Sequence, residues 1–182
     1  MSVTIPPQVP DGLAEIIATY GDPEVKIVNG QWAVNPTWES ANMVVIHHPM
    51  LPLGRLYIHH LAAQPFLKVL ERWSARVAAG DPYRVRTIGC FAPRAQRGSA
   101  GLVASTHTWG IAFDVNADAN LLISPCDQSD ARRTAIPLIV NGQTRRNIPT
   151  EWVSDAAAEG FFWGGAFKKR FDPMHFQLAT GF

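Results

Sequence analysis

Apolar residues recur along this chain with a helical period in some stretches and a strand period in others. Leu13, Ile16, Ile17 and Tyr20 follow helical spacing behind Asp11, which suits an N-cap, and ahead of Gly21, which suits a stop. Phe66, Val69, Leu70, Trp73 and Val77 draw an apolar stripe along a longer helix, with Pro65 expected in its first turn and Gly80 at its end. Residues 149–159 predict a further helix closed by Gly160. Between the first two lies a hairpin signal, with Asn29-Gly30 joining residues 25–28 to residues 31–34. Residues 83–88 read as a strand. The pattern predicts an α+β fold in a single domain over residues 1–182, with helices packed on a small antiparallel sheet.

Two strand-like segments carry more than packing. Along residues 110–116, Ile111, Phe113 and Val115 share one face, and Gly110, Ala112 and Asp114 share the other. Near the C-terminus, Met174, Phe176 and Leu178 would point into a core, leaving His175, Gln177 and Ala179 on the opposite face. Pairing the two strands with these faces aligned brings Asp114 to His175. His107 stands seven residues before Asp114, and an extended chain would hold it roughly 23 Å away. The chain must turn back if the two are to meet, and Gly110 can supply the bend.

Two histidines and a carboxylate form a ligand set that suits one catalytic zinc ion with a position left open. Asp172, three residues before His175, offers a second carboxylate that can accept a proton. The sequence therefore carries parts for metal-assisted hydrolysis.

The segment Ser-x-His-x-x-Gly-x-Ala-x-Asp over residues 105–114 and the closing Asp-x-x-His-Phe-Gln over residues 172–177 resemble the VanY-like zinc peptidases. That family includes D-alanyl-D-alanine carboxypeptidases and dipeptidases and the L-alanyl-D-glutamate endopeptidases of phage endolysins. Residues 161–165, Phe-Phe-Trp-Gly-Gly, resemble the family's approach to the last motif, and residues 89–94 hold an arginine where members carry one for substrate. The likeness covers residues 84–182 well and the first half loosely. It implies His107, Asp114 and His175 as ligands of one Zn2+ ion, Asp172 as general base, and Arg94 on a substrate carboxylate or the oxyanion. Arg97 is the rival for that arginine, and Ser105 would support the first ligand. Members with carboxypeptidase or dipeptidase activity usually have Glu-x-x-His, whereas endolysin-type members often have Asp-x-x-His. Asp172 therefore points toward an L-Ala-D-Glu endopeptidase acting on the peptidoglycan stem peptide. A D-Ala-D-Ala carboxypeptidase of the same fold and a non-catalytic wall-binding domain are the alternatives.

Composition adds exclusions. The chain has 182 residues, 47% of them hydrophobic, and a formal charge of +1, with no basic stripe that would suit nucleic acid. No apolar run reaches membrane-spanning length, so no membrane insertion is expected, and the protein is expected to act as a monomer. Residues 1–10 lack a charged, then apolar, leader. The expectation is synthesis in the cytoplasm and action on the cell wall after release, or from a virion. His47-His48 and His59-His60 read as structural or surface groups, because strand neighbours point to opposite faces. Cys90 and Cys126 lack zinc-finger spacing and are expected to be reduced. Residues 116–148 read as a long excursion beside the site.

Overall fold

The computed structural model describes residues 9–96, 103–123, 148–168 and 170–181. It is an α+β structure of short antiparallel sheets and four α-helices among those residues. Helix α1 covers Gly12–Tyr20, and strands β1 (Lys26–Val28) and β2 (Gln31–Ala33) form the expected hairpin. Its two turn residues, Asn29 and Gly30, both have positive φ, at 51° and 77°, as a turn matched to strand twist requires. Helix α2 (Pro36–Asn42) leads into strand β3 (Met43–His47), which pairs with β4 (Arg55–His59).

The main sheet has the order β5-β6-β8-β7, built from β5 (Ile88–Gly89), β6 (Ala112–Val115), β7 (Phe162–Trp163) and β8 (His175–Gln177). Strands β6 and β8 sit at its centre. Phe113 and Phe176 face each other across them, and their rings stack at 5.0 Å. Helix α3 (His60–Ala78) covers that face of the sheet: Phe66 meets Phe113 edge-on at 4.7 Å, and Trp73 meets Phe176 at 6.2 Å. Helix α4 (Thr150–Ala158) adds Trp152, which packs on Trp73 at 4.9 Å and is fully buried. Truncating one such core aromatic to alanine typically costs about 3–5 kcal/mol. Arg76 grips Asp155 with two nitrogens, and Arg72 holds Glu159 at 2.8 Å, so α3 and α4 are also tied by charge. One face of the sheet is thus filled by aromatic rings, and the other is left for polar groups.

Three expectations about elements need correction. Pro65 lies inside α3 and not in its first turn. His59 caps the helix instead, its Nδ1 accepting the Leu61 N–H at 3.2 Å. The proline removes one intrahelical bond, and Phe66, Val69, Leu70 and Trp73, all wholly buried, anchor the helix around it. Asp11 holds the N-cap position of α1 but caps nothing; its carboxylate accepts the Thr180 hydroxyl at 3.0 Å. Of residues 83–88 only Ile88 is in a strand. The amides of Arg86 and Thr87 donate to the buried side chain of Asn116, at 2.7 and 3.1 Å, and so do not join the sheet.

Candidate metal centre

The register of the two central strands builds the site. Asp114 lies directly opposite His175, so their side chains rise from the same face. Phe113 and Phe176, one residue along each strand, fix the other face in the core. Strand alternation then leaves the carboxylate and the imidazole no choice of side.

His107 arrives by the turn that the spacing demanded. Residues Thr106–Trp109 form a single 3-10 turn, with Ser105 as its N-cap accepting the His107 N–H at 3.4 Å. Gly110 ends the turn in the left-handed conformation, φ +65°. A Cβ added there would approach Met43 Cε to 2.5 Å and the His59 nitrogen to 3.0 Å. Both backbone angle and space therefore call for glycine.

Three atoms converge. His107 Nε2 lies 3.1 Å from His175 Nδ1 and 3.2 Å from Asp114 Oδ1, and His175 Nδ1 lies 3.0 Å from the same oxygen. Ligands at zinc distances in a tetrahedron would be about 3.3 Å apart, so the triangle is nearly the size one such ion imposes. The histidine tautomers fit too. His107 Nδ1 donates to the Cys90 carbonyl at 2.6 Å, which turns the lone pair of Nε2 toward the cluster. Without a cation or an extra proton, these converging acceptors repel one another. His107, Asp114 and His175 are the group of His, Cys, Asp and Glu side chains, among the described residues, that can hold a metal ion. Burial disfavours the Asp114 anion, but when the rings take up the extra proton, hydrogen bonds and charge from His107 and His175 outweigh it and hold the carboxyl well below its usual range.

The cluster opens on a cleft of about 430 Å³ whose wall includes Arg94, Asp114, Arg170, Asp172, Met174 and His175. Asp172 Oδ1 is buried and has no hydrogen-bond partner among the described residues. Burial raises the Asp172 pKa; the negative charge of Asp114 adds to this, while His175 and Arg170 oppose it. A half-buried carboxylate with one buried, unused oxygen beside a candidate cation site is suited to take a proton. Its position is set by the backbone of a second 3-10 turn, Gly164–Ala166. The Gly164 carbonyl accepts the Asp172 N–H at 3.1 Å, and a Cβ on Gly164 would come within 2.5 Å of the Asp172 carbonyl oxygen. Trp163 braces the same loop, its indole N–H donating to the Pro173 carbonyl at 2.8 Å. Arg94 comes to 3.9 Å from the outer oxygen of Asp114 and lies on the cleft wall.

Met174 is buried, as expected, but it lines the cleft and stands outside the core cluster that Phe176 and Leu178 join. The strand alternation fails there because β8 begins only at His175, and residues 172–175 form a turn closed by the His175 N–H on the Asp172 carbonyl at 3.1 Å. His47, His48, His59 and His60 take no part in the cluster. Cys90 is a free, buried thiol that donates to the Gly110 carbonyl, and burial pushes its pKa up. Arg97, Cys126 and most of the 116–148 excursion lie outside the described residues. The described part of that excursion brings Ala117, Leu121 and Leu122 to the cleft. Sequence reasoning missed Arg170, two residues before Asp172, and also Thr106 and Gln177, which lie behind His175. Gln177 had a signal, since it shares the metal face of β8 and a polar residue there needs a partner.

Comparison with known proteins adds one match. Residues 97–178 fit the family model described as D-alanyl-D-alanine carboxypeptidase. No curated protein and no solved structure matches the chain.

Proposed function

We propose, from the match of residues 97–178 to the family model described as D-alanyl-D-alanine carboxypeptidase, that the chain is a VanY-like, zinc-dependent endopeptidase cutting the L-Ala-D-Glu bond of peptidoglycan stem peptides. The observation that carries the reading is the His107–Asp114–His175 triangle with the buried, unpartnered Asp172 oxygen beside it. His107 through Nε2, Asp114 through Oδ1 and His175 through Nδ1 would hold the ion. Bound there, zinc would polarise a carbonyl and make water more acidic. Asp172 takes the proton released on attack and returns one to the leaving amine. Its raised pKa, caused first by burial, brings it nearer the range a base at neutral pH needs. Arg94 holds a substrate carboxylate or the developing oxyanion, with Arg97 its rival. Ser105 keeps the His107 turn in shape.

The choice of an endopeptidase rests on Asp172, since aspartate in the last motif resembles the endolysin members. The same likeness supports a phage-type lytic enzyme, made in the cytoplasm and reaching the wall once the membrane is breached. A D-Ala-D-Ala carboxypeptidase is the second reading, favoured by the description of the matching family. Mass spectrometry of sacculi digested with zinc-loaded protein decides between them. Fragments cut between L-Ala and D-Glu support the endopeptidase, and free D-alanine supports the carboxypeptidase. Uncut sacculi from protein that holds stoichiometric metal would sink both. In permeabilised cells the enzyme should cause lysis that a chelator prevents.

A further inference from the structure

His175 faces the metal cluster with Nδ1 and turns Nε2 the other way, toward Gln177 Oε1 at 2.9 Å. That amide is itself held from two sides. Its oxygen also accepts the Thr106 hydroxyl at 3.0 Å, and its nitrogen donates to the Ala179 carbonyl at 2.9 Å. The Ala179 carbonyl, which can only accept, settles which end of the amide is oxygen. Reversing it would set oxygen against the Ala179 carbonyl and N–H groups against His175. All of this is sealed from solvent: Gln177 and Thr106 are each 2% exposed and His175 is 5% exposed.

An amide oxygen fixed at Nε2 admits one neutral form of the ring, the one protonated at Nε2 with its lone pair on Nδ1. It also fixes the rotation of the ring about its bond to Cβ. We infer that Gln177, clamped by Thr106 and Ala179, is a positioning residue that aims the His175 Nδ1 lone pair at Asp114 and His107. The arrangement repeats on a different element what the Cys90 carbonyl does for His107. One histidine is aimed by a backbone carbonyl through Nδ1, the other by a side-chain amide through Nε2. The Met174 carbonyl, next to His175, is taken by the Val115 N–H at 2.9 Å, and a side chain supplies the acceptor. Outer-shell hydrogen bonds of this kind typically change metal affinity by about 10–100-fold.

The inference rests on the metal reading above, and the test separates the two. Zinc affinity is measured by competition with a chromophoric chelator for the wild-type protein, Gln177→Met and Gln177→Glu. Methionine keeps the volume and removes the acceptor, so affinity should fall about 10–100-fold with the circular-dichroism spectrum unchanged. Glutamate restores an acceptor for the Nε2–H and should recover at least part of that loss. The visible spectrum of the cobalt-substituted methionine variant should shift, because the ring is free to rotate. In the metal-free wild type, nitrogen NMR of labelled histidine should find His175 protonated at Nε2. A wild-type protein that binds no zinc overturns the metal reading and this inference with it. Zinc binding as tight in Gln177→Met as in the wild type, or a neutral His175 ring protonated at Nδ1 alone, overturns this inference alone. Should Gln177→Met fail to fold, Thr106→Val removes one side of the clamp. It should weaken zinc binding by a smaller factor, and an unchanged affinity there overturns the inference.

Discussion

Two regions of this molecule bury histidine, and they do so to opposite ends. His59, at the junction of β4 and α3, is 0% exposed. Its Nδ1 accepts the Leu61 N–H and its Nε2 donates to the Tyr20 carbonyl at 3.2 Å, so the backbone satisfies both nitrogens. At the sheet centre, His107 and His175 each give one nitrogen to a fixed acceptor and leave the other facing a carboxylate. Burial is common to all three rings. What separates a structural histidine from a candidate ligand is whether a lone pair is left over, and at what it points. His59 has none left. A cation offered to the protein has one place to go among these rings.

The largest test of that contrast is to remove the rings in turn. His107→Ala or His175→Ala should remove most of the bound metal and all measurable hydrolysis, since a site of three ligands does not survive with two. His59→Asn should keep stoichiometric metal. Metal analysis of the three purified variants checks this, and metal loss confined to His59→Asn would invert the comparison. Next comes the second carboxylate. Asp172→Ala should retain zinc and lose turnover by about 10²–10⁴-fold, the usual range for general acid–base catalysis. If that variant loses metal while Asp114→Ala keeps it, the two carboxylates have been given each other's roles.

Smaller still is the effect expected from the backbone that sets Asp172. In Gly164→Ala the new methyl would press on the Asp172 carbonyl oxygen at 2.5 Å. The loop must shift, and a displacement on the order of 1 Å can cost up to about 10²-fold in rate. Metal content should stay at the wild-type level, because His175 is held in β8 by its pairing with Asp114. A variant with both rate and metal unchanged would show that the loop accommodates the methyl without moving the base.

The sheet centre was legible in the sequence because strand geometry allows only two faces. Once Phe113 and Phe176 are assigned inward, Asp114 and His175 must point outward together, and the observed register pairs them directly. Gly110 was legible for a related reason, since only a tight turn returns His107 to the cluster. The N-terminal half gave up less. Pro65 looked like a helix start, but the start is set by His59, whose capping role depends on Tyr20, 39 residues away. Residues 83–88 have strand-like residues, yet the amides of Arg86 and Thr87 go to Asn116, and no local pattern announces a bond across 30 positions. Met174 was misplaced because strand alternation was extended by one residue into a turn. Periodicity reads faces well where a strand is long enough to impose them. It fails where one distant side chain sets the boundary.

The smallest effect concerns His59 alone and leaves the candidate metal centre untouched. Burial lowers its pKa to about 4; the bond to the Tyr20 carbonyl opposes this and the neighbouring His60 adds to it. In the unfolded chain the ring titrates near 6.5. The unfolded state therefore binds the proton more readily, and the neutral ring favours the fold. This contribution is fully present above pH 6.5, declines as pH falls, and is gone below about 4. A gap of that size corresponds to no more than about 3.5 kcal/mol. Protonation also turns Nδ1 from an acceptor into a donor facing the Leu61 N–H, which breaks the cap of α3. His59→Asn keeps a capping acceptor but cannot titrate. Urea unfolding of the two proteins, each without metal, should show the wild type losing its advantage over the variant between pH 6.5 and 4. The difference between them cancels the titration of every group they share. A stability difference that stays constant across that range would mean that His59 is not held neutral, and would remove the distinction between the two kinds of buried histidine.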